Sequence, residues 1–208
     1  AAKDGDTIVL CKDAETKNGF GLDSMDLTVN GNNHTITANK LGIYLYQGSK
    51  PATLTFNDVT LNMTPAEGTP MEGGEKKTWA VAVLNYDCRA IFNNSNITMA
   101  PAGSVNTGAY FHAGAKLTLN KSKMSVRGFS SNGFATETPA TTPYSTEVNV
   151  MNGSDLEIAN NYAGFTNNFQ VTVDDSKLTD SNNRAHGSNG SDFIIRNESV
   201  VDVSGNGS

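Results

Sequence analysis

The residue types in this chain that could do covalent chemistry are carboxylates. Asp174 and Asp175 are adjacent, and His186-Gly187 follows a short way on. Two carboxylates flanking a glycosidic bond could protonate the leaving oxygen and activate a water, as inverting sugar hydrolysis requires. Asp155, Asp180 and Asp202 extend the acidic set; carboxylates of this kind hold Ca²⁺, and Arg127, Arg184 or Arg196 would then have to act as the base of an elimination. The histidines His34, His112 and His186 stand in three different contexts without a metal-ligand spacing such as HxxxH. No Gly-x-Ser-x-Gly, phosphate loop or Cys/His dyad occurs. A second group of residues could bind rather than react: Tyr44, Tyr46, Trp79, Tyr110, His112 and Tyr162, several of them close to Asn, Gln or Asp. Aromatic faces beside such polar groups are suited to gripping sugar rings.

What these residues can do depends on the elements that carry them, and those elements repeat. The phrase LTVNGNNHTITA (Leu27 to Ala38) returns as LTFNDVTLNM, AIFNNSNITM, LTLNKSKMSV, VNVMNGSDLEI, VTVDDSKLTD and FIIRNESVVDV. The copies start at Leu27, Leu54, Ala90, Leu117, Val148, Val171 and Phe193, and the spacing settles to 22 or 23 residues in the last third. A period of this size signals a solenoid. Each copy holds two short runs of alternating apolar and polar residues around a polar turn, which is a strand signature. A third apolar stretch lies between copies: GIYLY from Gly42, WAVAVL from Trp79, GAYFH from Gly108, GFA from Gly133, YAGF from Tyr162 and AHG from Ala185.

Three strands in some 22 residues, with no helical pattern between them, predict an all-β fold. The form expected is a single-stranded, right-handed parallel β-helix of about seven to eight coils, three short strands each. One coil cannot bury its own inward residues, but coils stacked at ~4.8 Å build a continuous core. Leu27, Leu54, Leu117, Val171 and Phe193 are expected in one inward column, and Val29, Phe56, Phe92, Leu119, Val150, Val173 and Ile195 in the next. Thr28, Thr55, Thr118 and Thr172 then point outward, in a column that Ile91, Asn149 and Ile194 interrupt. Ser95, Ser122, Ser154, Ser176 and Ser199 form a turn column able to bond its own backbone. Asp174-Asp175 falls on the turn written Asn93-Asn94 and Asn120-Lys121 elsewhere, so turn formation accounts for that pair. In the third strand Phe111, Phe134 and Phe165 are the natural core members, and the remaining aromatics are expected as an outward stripe.

The 208 residues suit one elongated domain, with 1–26 as a first coil or cap and 27–208 as repeating coils. Insertions at 65–78 and 135–146 break the period and leave from different corners, so no common groove is evident between them. A net charge of −6 without a basic stripe argues against a nucleic-acid partner. No apolar run is long enough to span a membrane, and no signal peptide is present, as expected of a mature form or an excised piece. SVVDVSGNGS stops directly after a strand, and continuation of the natural chain past Ser208 is expected. Cys11 and Cys88 lie about three coils apart, too far to bridge, and are expected as buried free thiols.

The opening segment, with Gly5-Asp6-Thr7-Ile8 followed by Gly31-Asn32-Asn33-His34-Thr35-Ile36, resembles the start of many secreted bacterial pectate-lyase-like β-helix proteins. That resemblance implies a first coil, an extracellular address and polysaccharide-rich surroundings. The Asp-Asp and His-Gly pairs are similar to those of polygalacturonase-like hydrolases, but their Asn-Thr-Asp triplet and Arg-x-Lys are missing here. With no catalytic set, metal or cofactor assigned, the expected function is a non-catalytic, secreted or cell-surface, adhesin-like module. It would present a glycan or host ligand with Tyr44, Tyr46, Trp79, Tyr110, His112 and Tyr162, and act as a monomer. A polysaccharide lyase or glycoside hydrolase of that superfamily, and a structural stalk, are the alternatives.

Overall fold

The structure, a computed structural model, describes residues 2–66, 80–103, 105–136, 146–185, 188–189 and 191–207. Each of the first seven coils delivers one strand to each of three parallel sheets, and the eighth delivers one to each of two. Sheet A has eight strands, from Asp6–Val9 and Asp26–Asn30 through Thr53–Asn57, Arg89–Asn93, Lys116–Asn120, Thr146–Met151 and Phe169–Asp174 to Asp192–Arg196. Sheet B has eight, from Ala14–Thr16 to Val200–Ser204. Sheet C has seven: Phe20–Asp23, Ile43–Tyr46, Ala80–Leu84, Thr107–Phe111, Asn132–Thr136, Ala163–Thr166 and Ser188–Asn189. The chain is thus a right-handed parallel β-helix with three strands per coil. Within the expected first coil, Asp6–Val9, Ala14–Thr16 and Phe20–Asp23 supply one strand to each sheet.

The repeat copies stack in the expected register. Leu27, Leu54, Ala90, Leu117, Val148, Val171 and Phe193 are successive partners across sheet A, as are Val29, Phe56, Phe92, Leu119, Val150, Val173 and Ile195. The columns are buried along the rod but open at its ends: Ile195 is 52% exposed and Phe193 only half-buried. An end coil has a neighbour on one side alone, so register sets which way a residue points without guaranteeing burial. Phe20, Phe56 and Phe92 pack ring to ring, and Phe111, Phe134, Phe165 and Phe169 form a second aromatic core behind sheet C.

The A-to-B corner shows why the turn residues recur. Asp58, Asn94, Lys121, Asn152, Asp175 and Asn197 adopt positive φ there, a conformation that Asn and Asp tolerate best among non-glycine residues and that lets a short turn redirect the chain. The serines beside them form a ladder. Ser122 Oγ accepts the N–H of Ser95 at 3.0 Å, Ser154 that of Ser122, Ser176 that of Ser154 and Ser199 that of Ser176. Each of these hydroxyls also donates to a carbonyl of its own turn, such as Asn120 O for Ser122. Asn30, Asn57, Asn93 and Asn120 build a parallel amide ladder, in which the Nδ2 of each of the last three donates to the Oδ1 of the asparagine one coil before. The serines satisfy turn backbone that the strand ladders leave unpaired, while the amides satisfy one another.

The two cysteines differ from each other. Cys88 is a buried free thiol whose Sγ accepts the Ala52 N–H at 3.3 Å, and burial pushes its pKa up. Cys11 is free but exposed, against expectation, because it follows the first sheet A strand of an end coil.

Candidate functional site

Sheet C carries the aromatic residues, and alternation along its strands divides them. Phe111, Phe134 and Phe165 are fully buried, as expected of the inward positions. Tyr44 and Tyr110 share one outward row, with Val83 as the register partner of both, two coils or ~9.6 Å apart. That row continues through Ala135 to Thr166. Tyr46 takes the next outward position of its strand and stacks beside Tyr44 with ring centroids 6.2 Å apart. His112 follows the strand Thr107–Phe111, is nearly buried, and packs between Tyr110 and Tyr86 at 5.3 and 4.9 Å.

The six candidate binding residues do not make one stripe. Tyr162 is 51% exposed but precedes its strand, so it stands at the B-to-C corner and not on the sheet face. Trp79 and His186 lie outside the described residues. Val83, between Tyr44 and Tyr110, is buried despite facing outward, which separates the two tyrosines into distinct patches.

Around Tyr110 the face becomes concave. A groove of about 360 Å³ spans three coils and is lined by Asn106, Tyr110, Asn132, Thr136, Thr166 and Asn167 among others. Thr166 Oγ1 donates to Asn132 Oδ1 at 2.7 Å, and Asn167 Nδ2 donates to Thr136 O at 3.0 Å, so the floor is held by cross-coil bonds. Thr107 Oγ1 donates to Asn106 Oδ1 at 3.3 Å along the rim. Asn106, Asn132 and Asn167 escaped the sequence reading because no repeat position marks them; only the stacking of three unequal coils brings them together.

Chain connectivity places the two insertions with respect to this face. Residues 67–79 join the end of a sheet B strand to Ala80, the first residue of a sheet C strand. Residues 137–145 join Thr136, the last residue of another sheet C strand, to sheet A. They do attach at different corners, as expected, but these are the two corners that bound sheet C.

The carboxylates considered for chemistry are dispersed. Asp174 ends a sheet A strand and accepts Asn197 Nδ2, Asp175 is a positive-φ turn residue, and Asp155 and Asp202 belong to sheet B strands. Asp180 is the surprise: it faces into the core, with Ile158 and Val203 as register partners, and is completely buried. Its Oδ1 accepts Asn183 Nδ2 at 2.5 Å, while its Oδ2 is the single buried side-chain polar atom without a partner among the described residues. Burial raises its pKa to about 7, with the Asn183 bond pulling the other way. No three of His, Cys, Asp and Glu converge to hold a metal ion among the described residues. Comparison with known proteins gives no match to a family model, to a curated sequence or to a solved structure.

Proposed function

We propose that the outward face of sheet C around Tyr110 is a carbohydrate-binding surface, carried on a rigid β-helical rod that acts outside the cell as an adhesin-like, non-catalytic module. The observation that supports this is the groove itself, in which a half-buried tyrosine lies beside amides and hydroxyls already fixed by cross-coil bonds. Its volume falls in the range of small-ligand sites, which combine an apolar platform with a few positioned polar groups. Fixed side chains lose little conformational freedom on binding, so weak hydroxyl contacts are not spent on ordering the protein. Tyr44 with Tyr46 offers a second aromatic platform on the same face. The extracellular address rests on the resemblance of the opening segment.

A glycan-array screen of the purified protein tests this, followed by product analysis on any polysaccharide retained. Retention without cleavage, weakened about tenfold or more by Tyr110→Ala as expected of a central aromatic anchor, supports the proposal. Release of unsaturated or reducing oligosaccharides would show an enzyme, and retention indifferent to Tyr110→Ala would place the ligand elsewhere.

A further inference from the structure

Among the described residues, charges are not evenly distributed over the three faces. Sheet A presents Arg89, Lys116 and Glu147 in one outward row, and sheet B presents Lys123, Asp155 and Lys177 in another. The sheet C groove differs. None of its nine lining residues carries a charge at neutral pH; they are asparagines, threonines, a serine, an alanine and Tyr110. Among the described residues, two cations at the bounding corners of the same coils are already engaged, and Arg89, the register partner of Lys116, is absent from the groove lining. Lys116 Nζ bonds Glu147 at 2.6 Å on the sheet A side, and Arg127 is paired with Glu157 on the sheet B side. Arg184 stands one coil beyond Asn161 at the B-to-C corner and is absent from the groove lining.

We infer that this groove is selective for neutral oligosaccharides and discriminates against uronates and other anionic glycans; the inference rests on the carbohydrate-binding reading above and names its ligand class. The reason is the asymmetry between hydroxyls and carboxylates on leaving water. A sugar hydroxyl exchanges water hydrogen bonds for bonds to Asn amides and Thr hydroxyls at little net change, so the apolar ring face against Tyr110 supplies the gain. A carboxylate loses far more hydration and finds no countercharge among the described residues of the groove to offset it. The protein's net charge of −6 adds a long-range repulsion of the same sign.

The test is a binding panel of matched probes by titration calorimetry, with and without Ca²⁺. Tetragalacturonate is set against its fully methyl-esterified form, and neutral xylo-, manno- and cello-oligosaccharides against acidic alginate and glucuronate oligomers. The expected result is that the neutral probes bind at least about tenfold more tightly than their charged counterparts, a difference of about 1.4 kcal/mol. Their affinity should not change with added salt, since no ion pair is formed. Asn106→Lys, which places an ammonium at the rim, should narrow the gap between charged and neutral probes. An anionic probe bound as tightly as its neutral counterpart overturns the inference while leaving the carbohydrate reading intact. Silence of every probe, with wild-type circular dichroism, overturns both.

Discussion

A carboxyl group facing into an apolar core should make the last coils of this rod sensitive to pH, and Asp180 allows the effect to be sized. Its pKa is raised from 3.8 to about 7 by burial, a gap of about 3, and each pKa unit corresponds to about 1.4 kcal/mol. The folded state therefore holds a proton that the unfolded chain releases between about pH 4 and pH 7. The sign follows directly. This group's stabilising contribution is complete below its unfolded pKa and is lost as pH rises through the folded value, on the order of 4 kcal/mol in all. Between about pH 5 and pH 8 the loss is about 3 kcal/mol. Asp180→Asn isolates it, because the neutral amide keeps an acceptor for Asn183 and cannot ionise. Urea unfolding of both proteins across this range, with hydrogen exchange read at Lys177–Ser181 and Val200–Ser204, is the assay. Exchange matters because solenoids open from their ends and the response should concentrate there. The variant should gain on the wild type steadily as pH rises. A stability difference constant across pH would refute the reasoning.

The serine ladder and the cysteines give two further tests. Ser122→Ala removes the acceptor of the buried Ser95 N–H and should cost about 1–3 kcal/mol in urea unfolding. Ser199→Ala, at the exposed end of the same ladder, should cost clearly less because water can replace its hydroxyl. Equal losses would show that the ladder is not what these serines contribute. Maleimide labelling of the native protein should modify Cys11 at once and Cys88 only on unfolding, as exposure and the burial-raised pKa of Cys88 require; fast labelling of both would contradict the packing at Ala52.

Much of the architecture was legible because the β-helix is one rule applied repeatedly. Alternation decides which side chain faces inward, and a repeated phrase decides which residues stack, so the sheet A columns from Leu27 to Phe193 could be written down from the sequence in correct register. The serine column followed for the same reason, since a turn residue that recurs in sequence meets its own copy on the next coil. The third strand was harder. Its copies differ; of the expected Ala185–Gly187 stretch, His186 and Gly187 lie outside the described residues, and the seventh strand of sheet C is Ser188–Asn189.

What the tertiary structure alone decided lies where the copies are not alike. Asp180 reads in sequence as one more acidic residue of a polar repeat, and only its register between Ile158 and Val203 shows a carboxyl buried in the core. Cys11 has the local company of a core residue and is exposed because its coil has one neighbour. Tyr44 and Tyr110 were expected in a single aromatic stripe, yet the buried Val83 parts them and Tyr162 leaves the face altogether. The groove is assembled from Asn106, Asn132 and Asn167, residues of three coils with different lengths of chain between them. Sequence determined the repeating geometry, because that depends on local alternation; the site depends on which unequal segments meet across coils, and stacking alone settles that.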